Sequence, residues 1–233
     1  MKKFDRELAA LRDRVVEMGR ITQSMVEMAI TAMSDLDAVY KKVLENEDRL
    51  DQMQLDIDHE AIRLLTVYSP VATDLRFVLS VSHVNNALER IGDQAVGLCH
   101  TIDFGGRHVW AAGEALPKLK QMGEIVQGMI RDAILAFVGE DAMLAQKTMG
   151  ADDAVDALND QVMRETLHTE AAKDPSREKP DIAAALTRIL IARALERFGD
   201  QATNICEEVI YMVQGADVRH SQKPRVQNKA KAG

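Results

Sequence analysis

Residues 87–99 read Ala-Leu-Glu-Arg-Ile-Gly-Asp-Gln-Ala-Val-Gly-Leu-Cys, and residues 194–206 read Ala-Leu-Glu-Arg-Phe-Gly-Asp-Gln-Ala-Thr-Asn-Ile-Cys. The second stretch follows the first by 107 residues, and nine of the thirteen positions are identical. Each copy places a glutamate four residues before an aspartate, in the pairs Glu89–Asp93 and Glu196–Asp200. On a helix this spacing sets two carboxylates side by side, which is mildly destabilising unless a positive charge lies between them. The stretch therefore indicates an internal duplication and raises the question of a bound cation.

The duplication extends along almost the whole chain. Residues 122–136 match residues 18–32 at an offset of 104, with Met, Gly, Ile, Gln, Met, Ala, Ile and Ala shared in register. Apolar residues spaced by three and four mark helices over about 5–38, 41–67 and 71–103, and the same pattern returns in the second half. Aromatic residues are only 4% of the chain, so strand formers are scarce. We predict an all-α fold, a tandem duplication of a three-helix bundle with six long helices.

The composition also divides the chain into segments. We predict a first three-helix repeat over 1–104, a linker over 105–116, a second repeat over 117–214 and a basic, disordered tail over 215–233. The offset between the repeats grows from 104 to 107 along the chain, so residues are inserted in the second repeat, and we place this insertion chiefly in a loop over 170–181. Five basic residues stand against one acidic residue in the tail, whereas the whole chain has a net charge of −8. An acidic body argues against nucleic acid as a partner and suits cations or basic protein surfaces.

The sequence favours a cytoplasmic protein. No stretch approaches the roughly 18 uncharged apolar residues that a membrane span requires. The basic N-terminal residues are not followed by an apolar run, as a signal peptide would require. Cys99 and Cys206 occupy the same position of the two repeats, and we expect both thiols to be reduced and buried.

The second helix of each repeat carries acids at the same spacing as the third. Glu89 and Asp93 fall on the side of their helix opposite its apolar seam, by the step of about 100° per residue. Neighbouring helices can bring the two pairs together, and four or more carboxylate oxygens suit a hard or borderline cation. A solvated acidic face is the alternative interpretation. The candidate metal ligands are Glu47, Asp51, Glu89 and Asp93 in the first repeat, and Asp152, Asp156, Glu196, Asp200, Asn204 and Glu207 in the second.

Two further hypotheses remain at this point. A ferritin-like carboxylate-bridged metalloenzyme would need the Glu-x-x-His motif twice, and the chain has it once, at Glu165 and His168. A purely structural helical scaffold would use its acids only for solubility. The sequence contains no glycine-rich phosphate loop, nucleophile elbow or Cys/His cluster, so no catalytic residues are predicted.

The duplicated Leu-Glu-Arg-x-Gly-Asp-Gln-Ala stretch, with Pro70-Val-Ala-Thr-Asp-Leu-Arg76 before the third helix, resembles the PhoU family of phosphate-transport regulators. The resemblance covers about residues 4–214. It implies a non-enzymatic, cytoplasmic adaptor, often a homodimer, that meets the membrane only peripherally through its partners. Those partners are the ATPase subunit of the phosphate ABC transporter and a phosphate-sensing histidine kinase, and the adaptor acts as a negative regulator of phosphate-starvation genes.

The resemblance also implies metal binding. In the family, repeated Glu/Asp-x-x-x-Asp motifs on the bundle surface hold divalent or ferric metal ions, often as multinuclear clusters, and they match the acidic pairs above. The family's row continues with Asn and Glu, as at Asn204 and Glu207, but the first repeat has Gly97 and His100 there. His100 is thus a candidate ligand in the first repeat, and the second site is predicted to be the better furnished. The Asp-Leu-Arg signature is also incomplete in the second repeat, where Asp181 and Ile182 precede Ala183.

Overall fold

The computed structural model describes residues 2–105, 115–172 and 181–219. Most of the predicted linker, most of the predicted loop over 170–181 and the tail beyond residue 219 lie outside these ranges. The described residues form helices and connecting turns without a β-strand. The helices are α1 (Lys2–Thr31), α2 (Leu36–Tyr68), α3 (Ala72–Phe104), α4 (Ala115–Gly139), α5 (Ala142–Met149), α6 (Asp152–Ala172) and α7 (Ile182–Gln214). The predicted fold class, a duplicated three-helix bundle, is confirmed.

Two helix boundaries differ in detail from the prediction. The first helix ends at Thr31 rather than near residue 38, because the Asp35 carboxylate accepts a hydrogen bond from the Ala38 amide and starts α2 there. The second helix of the second repeat is divided into α5 and α6 by a turn at Gly150 and Ala151. Together α5 and α6 occupy the place that the single helix α2 has in the first repeat.

The helices form two layers, and the two repeats are related by an approximate two-fold axis. Helices α2, α3, α7 and α6 are successive neighbours in one layer, and α1 and α4 contact each other beneath it. The symmetry is visible where α1 crosses α4. A Cβ built on Gly19 would lie 3.3 Å from Ile134, and one built on Gly123 would lie 3.2 Å from Ile30. Gly123 is the counterpart of Gly19 at an offset of 104, and Ile134 is the counterpart of Ile30. The repeats therefore meet through a reciprocal contact.

Helices α3 and α7 run antiparallel at the centre of the upper layer. The C-terminal end of α3 meets the start of α7, where a Cβ on Gly105 would lie 2.4 Å from the Thr187 hydroxyl. At the opposite end Arg76 of α3 donates to the Met212 carbonyl of α7 over 3.4 Å. The N-terminal turns of α3 and α7 therefore lie at opposite ends of the upper layer.

One continuous apolar core serves both repeats. Leu88 of α3 and Phe198 of α7 are 1% and 0% exposed. Thr22 of α1 is fully buried, and its hydroxyl donates to the Met18 carbonyl over 3.0 Å. Cys99 and Cys206 are buried free thiols, as predicted. Burial raises the pKa of Cys99 to about 11 and that of Cys206 to about 12, so neither is a reactive thiolate at neutral pH.

Among the helices of the described ranges, none combines the length with the apolar character that crossing a bilayer demands.

Candidate metal centre

The close contact between α2 and α3 brings the acids of the first repeat together. Gly92 of α3 leaves space for the Leu50 side chain, because a Cβ at this position would lie 2.4 Å from Leu50 Cδ2. Near the middle of the same helix pair, the Asn85 amide donates to the Gln54 carbonyl and to the Asp58 carboxylate, each over 3.0 Å. These contacts fix the antiparallel register of α2 and α3.

Three predicted ligands meet on the outer face of this helix pair. One carboxylate oxygen from each of Asp51, Glu89 and Asp93 lies within 4.8 Å of the other two. Asp51 and Asp93 are exposed and Glu89 is half-buried. The acids therefore face outward, as the helical wheel predicted, and the three oxygens converge on one point that solvent can reach.

Like charges outweigh the neutralising charge around the cluster, because Arg90 lowers the pKa of Glu89 less than partial burial, Asp93 and Asp51 raise it. Partial burial, followed by the Asp93 and Asp51 charges, raises the pKa of Glu89 above its usual value. The pKa of Asp93 is raised by partial burial and by Asp51. Glu47 belongs to the same cluster, since its pKa is raised by partial burial and then by Asp51 and Asp93. Like charges held together in this way favour either protons or a cation.

The donor set fits a hard or borderline cation. Asp51, Glu89 and Asp93 each supply a carboxylate oxygen, and Glu47 adds a fourth carboxylate one turn along α2. Carboxylates bind divalent cations with one or both oxygens and bridge neighbouring ions. With three converging oxygens and one side open to solvent, the first repeat offers an incomplete coordination sphere that water or further ligands would complete.

His100 lies at the edge of this cluster. Its Nδ1 is 3.1 Å from the Tyr40 hydroxyl, and the two rings meet edge to face. The imidazole is near enough to Glu47 to lower the pKa of that carboxyl, against the larger raising effects. His100 therefore lies near the candidate metal ligands of the first repeat. The sequence had suggested this, because His100 corresponds to Glu207 when the two repeats are aligned.

The acids of the second repeat are less closely gathered. In the described residues, Asp152, Asp156, Glu196 and Asp200 supply no three oxygens that meet as closely as those of the first repeat. Asp152 does pack against α7, since its Oδ1 lies 3.2 Å from a Cβ built on Gly199. Val155, the counterpart of Leu50, contacts the same position at 3.7 Å and so repeats the Leu50–Gly92 contact of the first repeat. In the described residues, the carboxylates that lie closest to one another are thus those of the first repeat. The sequence had predicted that the second repeat would have the better furnished metal site.

Asn204 and Glu207 border a cleft between α3 and α7. This cleft has a volume of about 210 Å³ and also contacts Arg90 and Arg219. The two guanidinium groups weaken the attraction that Asn204 and Glu207, at the C-terminal end of the α7 acidic row, would exert on a cation. The sequence predicted that the acidic row continues along one face of α7. It could not show that Arg90 of α3 and Arg219 of the C-terminal segment lie across the cleft from this row.

The structure also shows a buried acid that the sequence analysis missed. The Glu208 side chain is only 8% exposed. Its carboxylate is 3.4 Å from the Ser80 hydroxyl and 3.4 Å from Arg219. Arg219 belongs to the first residues of the predicted disordered tail, which instead pack against α7, with Val218 lying on the apolar core. The helical position of Glu208, between the acidic row and the apolar seam of α7, was the available signal.

The ferritin-like arrangement has no support in this geometry. Glu165, the acid of the single Glu-x-x-His motif, forms an ion pair with Lys118 of α4. His168 is exposed three residues further along α6. In the described residues, the closest acids lie on the outer face of α2 and α3 and not in the interior of the bundle.

The fold and this site define a class of protein: tandem three-helix repeats with a carboxylate cluster on their outer face. The PhoU domain pattern matches residues 15–102 and 119–209, one match for each repeat. The chain belongs to the PhoU family.

Similar proteins support this assignment. The chain is 35% identical over 227 residues to the phosphate-specific transport system accessory protein PhoU homolog of Pseudomonas putida, covering 94% of this chain and 84% of the relative. It is 34% identical over 221 residues to the phosphate-specific transport system accessory protein PhoU of Escherichia coli K12, covering 94% and 88%. The crystal structure of PhoU from Pseudomonas aeruginosa superimposes with a TM-score of 0.83 at 33% identity, over 91% of this chain and 100% of that one. The phosphate transport system regulatory protein PhoU from Streptococcus pneumoniae gives a TM-score of 0.81 at 26% identity, over 92% and 99%.

Proposed function

We propose that this protein is a non-enzymatic, cytoplasmic adaptor of phosphate uptake that acts as a negative regulator of phosphate-starvation genes. It links the ATPase subunit of a phosphate ABC transporter to a phosphate-sensing histidine kinase, and it reaches the membrane only through these partners. The observation that carries the proposal is the match of both repeats to the PhoU domain, together with relatives named as accessory proteins of phosphate-specific transport. The surface of the described residues adds a group of three converging carboxylates, which suits the binding of a cation.

The adaptor role is tested by deletion and by direct binding. Deleting the gene is expected to raise phosphate-starvation gene expression in high-phosphate medium, and unchanged expression would refute the negative regulation. Purified ATPase subunit and the soluble part of the kinase are expected to bind the protein, each measured by calorimetry. Binding to only one of them would refute the linking role. The mass in solution, measured by light scattering, tests the homodimer that we propose for the adaptor.

We further propose that the outer acidic clusters bind divalent or ferric metal ions. The support is the convergence of Asp51, Glu89 and Asp93, together with the raised pKa values of Glu47, Glu89 and Asp93. In the second repeat the proposed ligands are Asp152, Asp156, Glu196, Asp200, Asn204 and Glu207. The bound ions would neutralise the clustered carboxylates and hold α2 to α3 and α6 to α7.

Elemental analysis of protein purified without a chelator or an affinity tag tests the metal proposal. We expect a metal content that falls in Asp93→Ala, which affects the first cluster, and in Asp200→Ala, which affects the second. Asp56→Ala is the control, because Asp56 lies on α2 and accepts a hydrogen bond from Gln52. Wild-type protein without metal, or variants with unchanged metal content, would favour the interpretation as a solvated acidic face.

A further inference from the structure

The last described residues fold back onto α7. Gly215 caps this helix in the left-handed conformation, with a φ of 69°. Val218 then packs against the apolar core, and the Arg219 guanidinium lies 3.4 Å from the buried Glu208 carboxylate. These contacts hold Arg219 against the C-terminal part of α7 and fix the point at which residues 220–233 begin.

Arg219 lies at one end of a line of polar residues along α7, the α7 acidic row. The row consists of Glu196, Asp200, Asn204 and Glu207, which follow one another on nearly the same face. Arg219 borders the same cleft as Asn204 and Glu207. The pKa of Arg219 is raised chiefly by its hydrogen bond with Asp217, and the charge of Glu207 adds to this effect. Residues 220–233 therefore begin beside the C-terminal end of the row.

The segment that begins there is basic and long enough to follow the row. Residues 220–233 contain four lysine or arginine residues and no aspartate or glutamate. The four are Lys223, Arg225, Lys229 and Lys231. The row spans about 17 Å, by the helical rise from Glu196 to Glu207. An extended chain covers about 20 Å between Arg219 and Arg225, so the first two basic residues are within reach of every acid of the row.

We propose that residues 220–233 dock on the α7 acidic row when no metal is bound there, and that metal ions displace them. The proposal deepens the metal binding proposed above for the second repeat and rests on it, because it names what regulates that same site. Basic side chains and metal ions compete for the same carboxylates. The metal affinity of the second repeat is then set by how readily the basic segment leaves.

The shape of the row suits an extended segment in the metal-free protein. In the first repeat three carboxylate oxygens converge within 4.8 Å, a group that suits a single ion. Within the described ranges, the acids of α7 are instead strung along one helix and form no such group. A linear series of negative charges complements a chain that carries a basic residue every two to four positions.

Tethering makes such a contact both populated and reversible. Single ion pairs between exposed side chains stabilise only weakly. A segment joined to its site by a short connection nevertheless has an effective concentration on the order of millimolar. Several weak pairs formed at that concentration hold the segment in place, yet a divalent ion that engages two or more carboxylates at once displaces it.

Chemical cross-linking of the full-length protein tests the docking itself. A carbodiimide joins lysine amines to carboxylates that are in contact, and mass spectrometry locates the links. In chelator-treated protein we expect Lys223 to be linked to Glu196, Asp200 or Glu207. A mixture of isotope-labelled and unlabelled protein shows whether a link lies within one chain or joins two.

Acetylation of lysines tests the displacement, because it does not depend on activating the carboxylates that metal would cover. We expect Mn²⁺ to raise the acetylation rate of Lys223 threefold or more in chelator-treated protein. Lys41 is the internal reference, since it is exposed on α2 and pairs with Glu45 of the same helix. Its rate should not change with Mn²⁺.

Calorimetry with Mn²⁺ tests the competition. All variants carry Asp93→Ala, so that the first cluster does not contribute. The neutral-segment variant has serine at the four basic positions of residues 220–233, and we expect it to bind Mn²⁺ at the second repeat threefold or more tightly than Asp93→Ala alone. A control with the same net charge places serine at four exposed lysines elsewhere, which are Lys41, Lys42, Lys120 and Lys147.

The outcomes separate this proposal from the metal function on which it rests. Tighter Mn²⁺ binding by the neutral-segment variant, and not by the control, would support the competition. Equal affinities in these two variants, or no links from the segment to the row, would overturn it and leave metal binding intact. Second-repeat Mn²⁺ binding missing from every variant would refute the metal function and the competition together. Links found only between two chains would show that the row of a second copy holds the segment, and would overturn docking within one chain.

Discussion

At the scale of single residues, two glycines on α3 have opposite roles. Gly92 is where Leu50 of α2 packs, with a distance of 2.4 Å from Leu50 Cδ2 to the position of an added Cβ. Leu50 is 1% exposed and therefore has little room to move away. Gly97 lies one and a half turns further on, and a Cβ there would meet nothing within 4 Å. The same residue type thus allows close helix packing at one position and only weakens the helix at the other.

Gly92→Ala is expected to lower the free energy of unfolding by about 1–3 kcal/mol, because an added methyl group overpacks the α2–α3 contact. Gly97→Ala is expected to raise it by about 0.5–1 kcal/mol through helix propensity alone. Urea denaturation followed by circular dichroism measures both, and each variant is the control for the other. Equal effects of the two substitutions would show that Gly92 does not set the distance between α2 and α3.

At the scale of the helix pair, the acids of α2 and α3 make the metal-free protein sensitive to pH. The folded-state pKa values of Glu47, Glu89 and Asp93 are raised above their ordinary values, and Asp51 contributes to all three shifts. A raised carboxyl pKa means that the folded state binds more protons than the unfolded chain between the ordinary and the raised pKa. The contribution of these groups to stability is therefore fully present below the ordinary pKa values and is lost as the pH rises through the raised ones.

Asp51→Asn is accordingly expected to stabilise chelator-treated protein at pH 7, and the gain is expected to shrink as the pH falls toward 4. The thermal unfolding midpoint over this pH range measures the effect. Asp56→Asn on the same helix is the control and should show no such trend. A gain that stays constant with pH would mean that the clustered charges do not titrate together.

Metal addition is expected to reverse the sign of the same substitution. A cation that binds the folded state raises the unfolding midpoint by mass action, and neutralising one of its carboxylates weakens that gain. Adding Mn²⁺ to chelator-treated protein should therefore stabilise the wild type more than Asp51→Asn. An equal rise in both proteins, followed by differential scanning fluorimetry, would contradict a metal site at Asp51, Glu89 and Asp93.

At the scale of the whole molecule, the two repeats share one core and are expected to unfold together. Calorimetry should give a single transition whose calorimetric enthalpy equals the van't Hoff enthalpy. The reciprocal α1–α4 contact is part of this coupling. Gly19→Val is expected to lower the free energy of unfolding by about 1–3 kcal/mol, because its side chain would enter the space of Ile134.

Gly128→Val on α4 is the control for that substitution, since the nearest atom to a Cβ there is the end of the Arg131 side chain, at 4.0 Å. Two separate transitions in the wild type would show that the repeats unfold independently. A loss of stability in Gly128→Val as large as that in Gly19→Val would show that valine itself, and not the α1–α4 contact, is the cause.

The sequence by itself determined the helices, the duplication and the outward direction of the acids. These follow from the period of the α-helix, which is a local property that assigns each residue to a face. The match at 87–99 and 194–206 needed no knowledge of packing. The sequence also correctly predicted that Cys99 and Cys206 would be buried free thiols, although by an argument from the redox compartment and not from the helical period.

Only the tertiary structure decided which faces meet and how closely. Asp51, Glu89 and Asp93 converge because Leu50 packs into the space at Gly92, and the acids of the second repeat are less closely gathered although its sequence row is longer. The break between α5 and α6 and the burial of Glu208 also depend on neighbouring helices. Distances between helices are set by side chains far apart in the sequence, and a helical period carries no information about them.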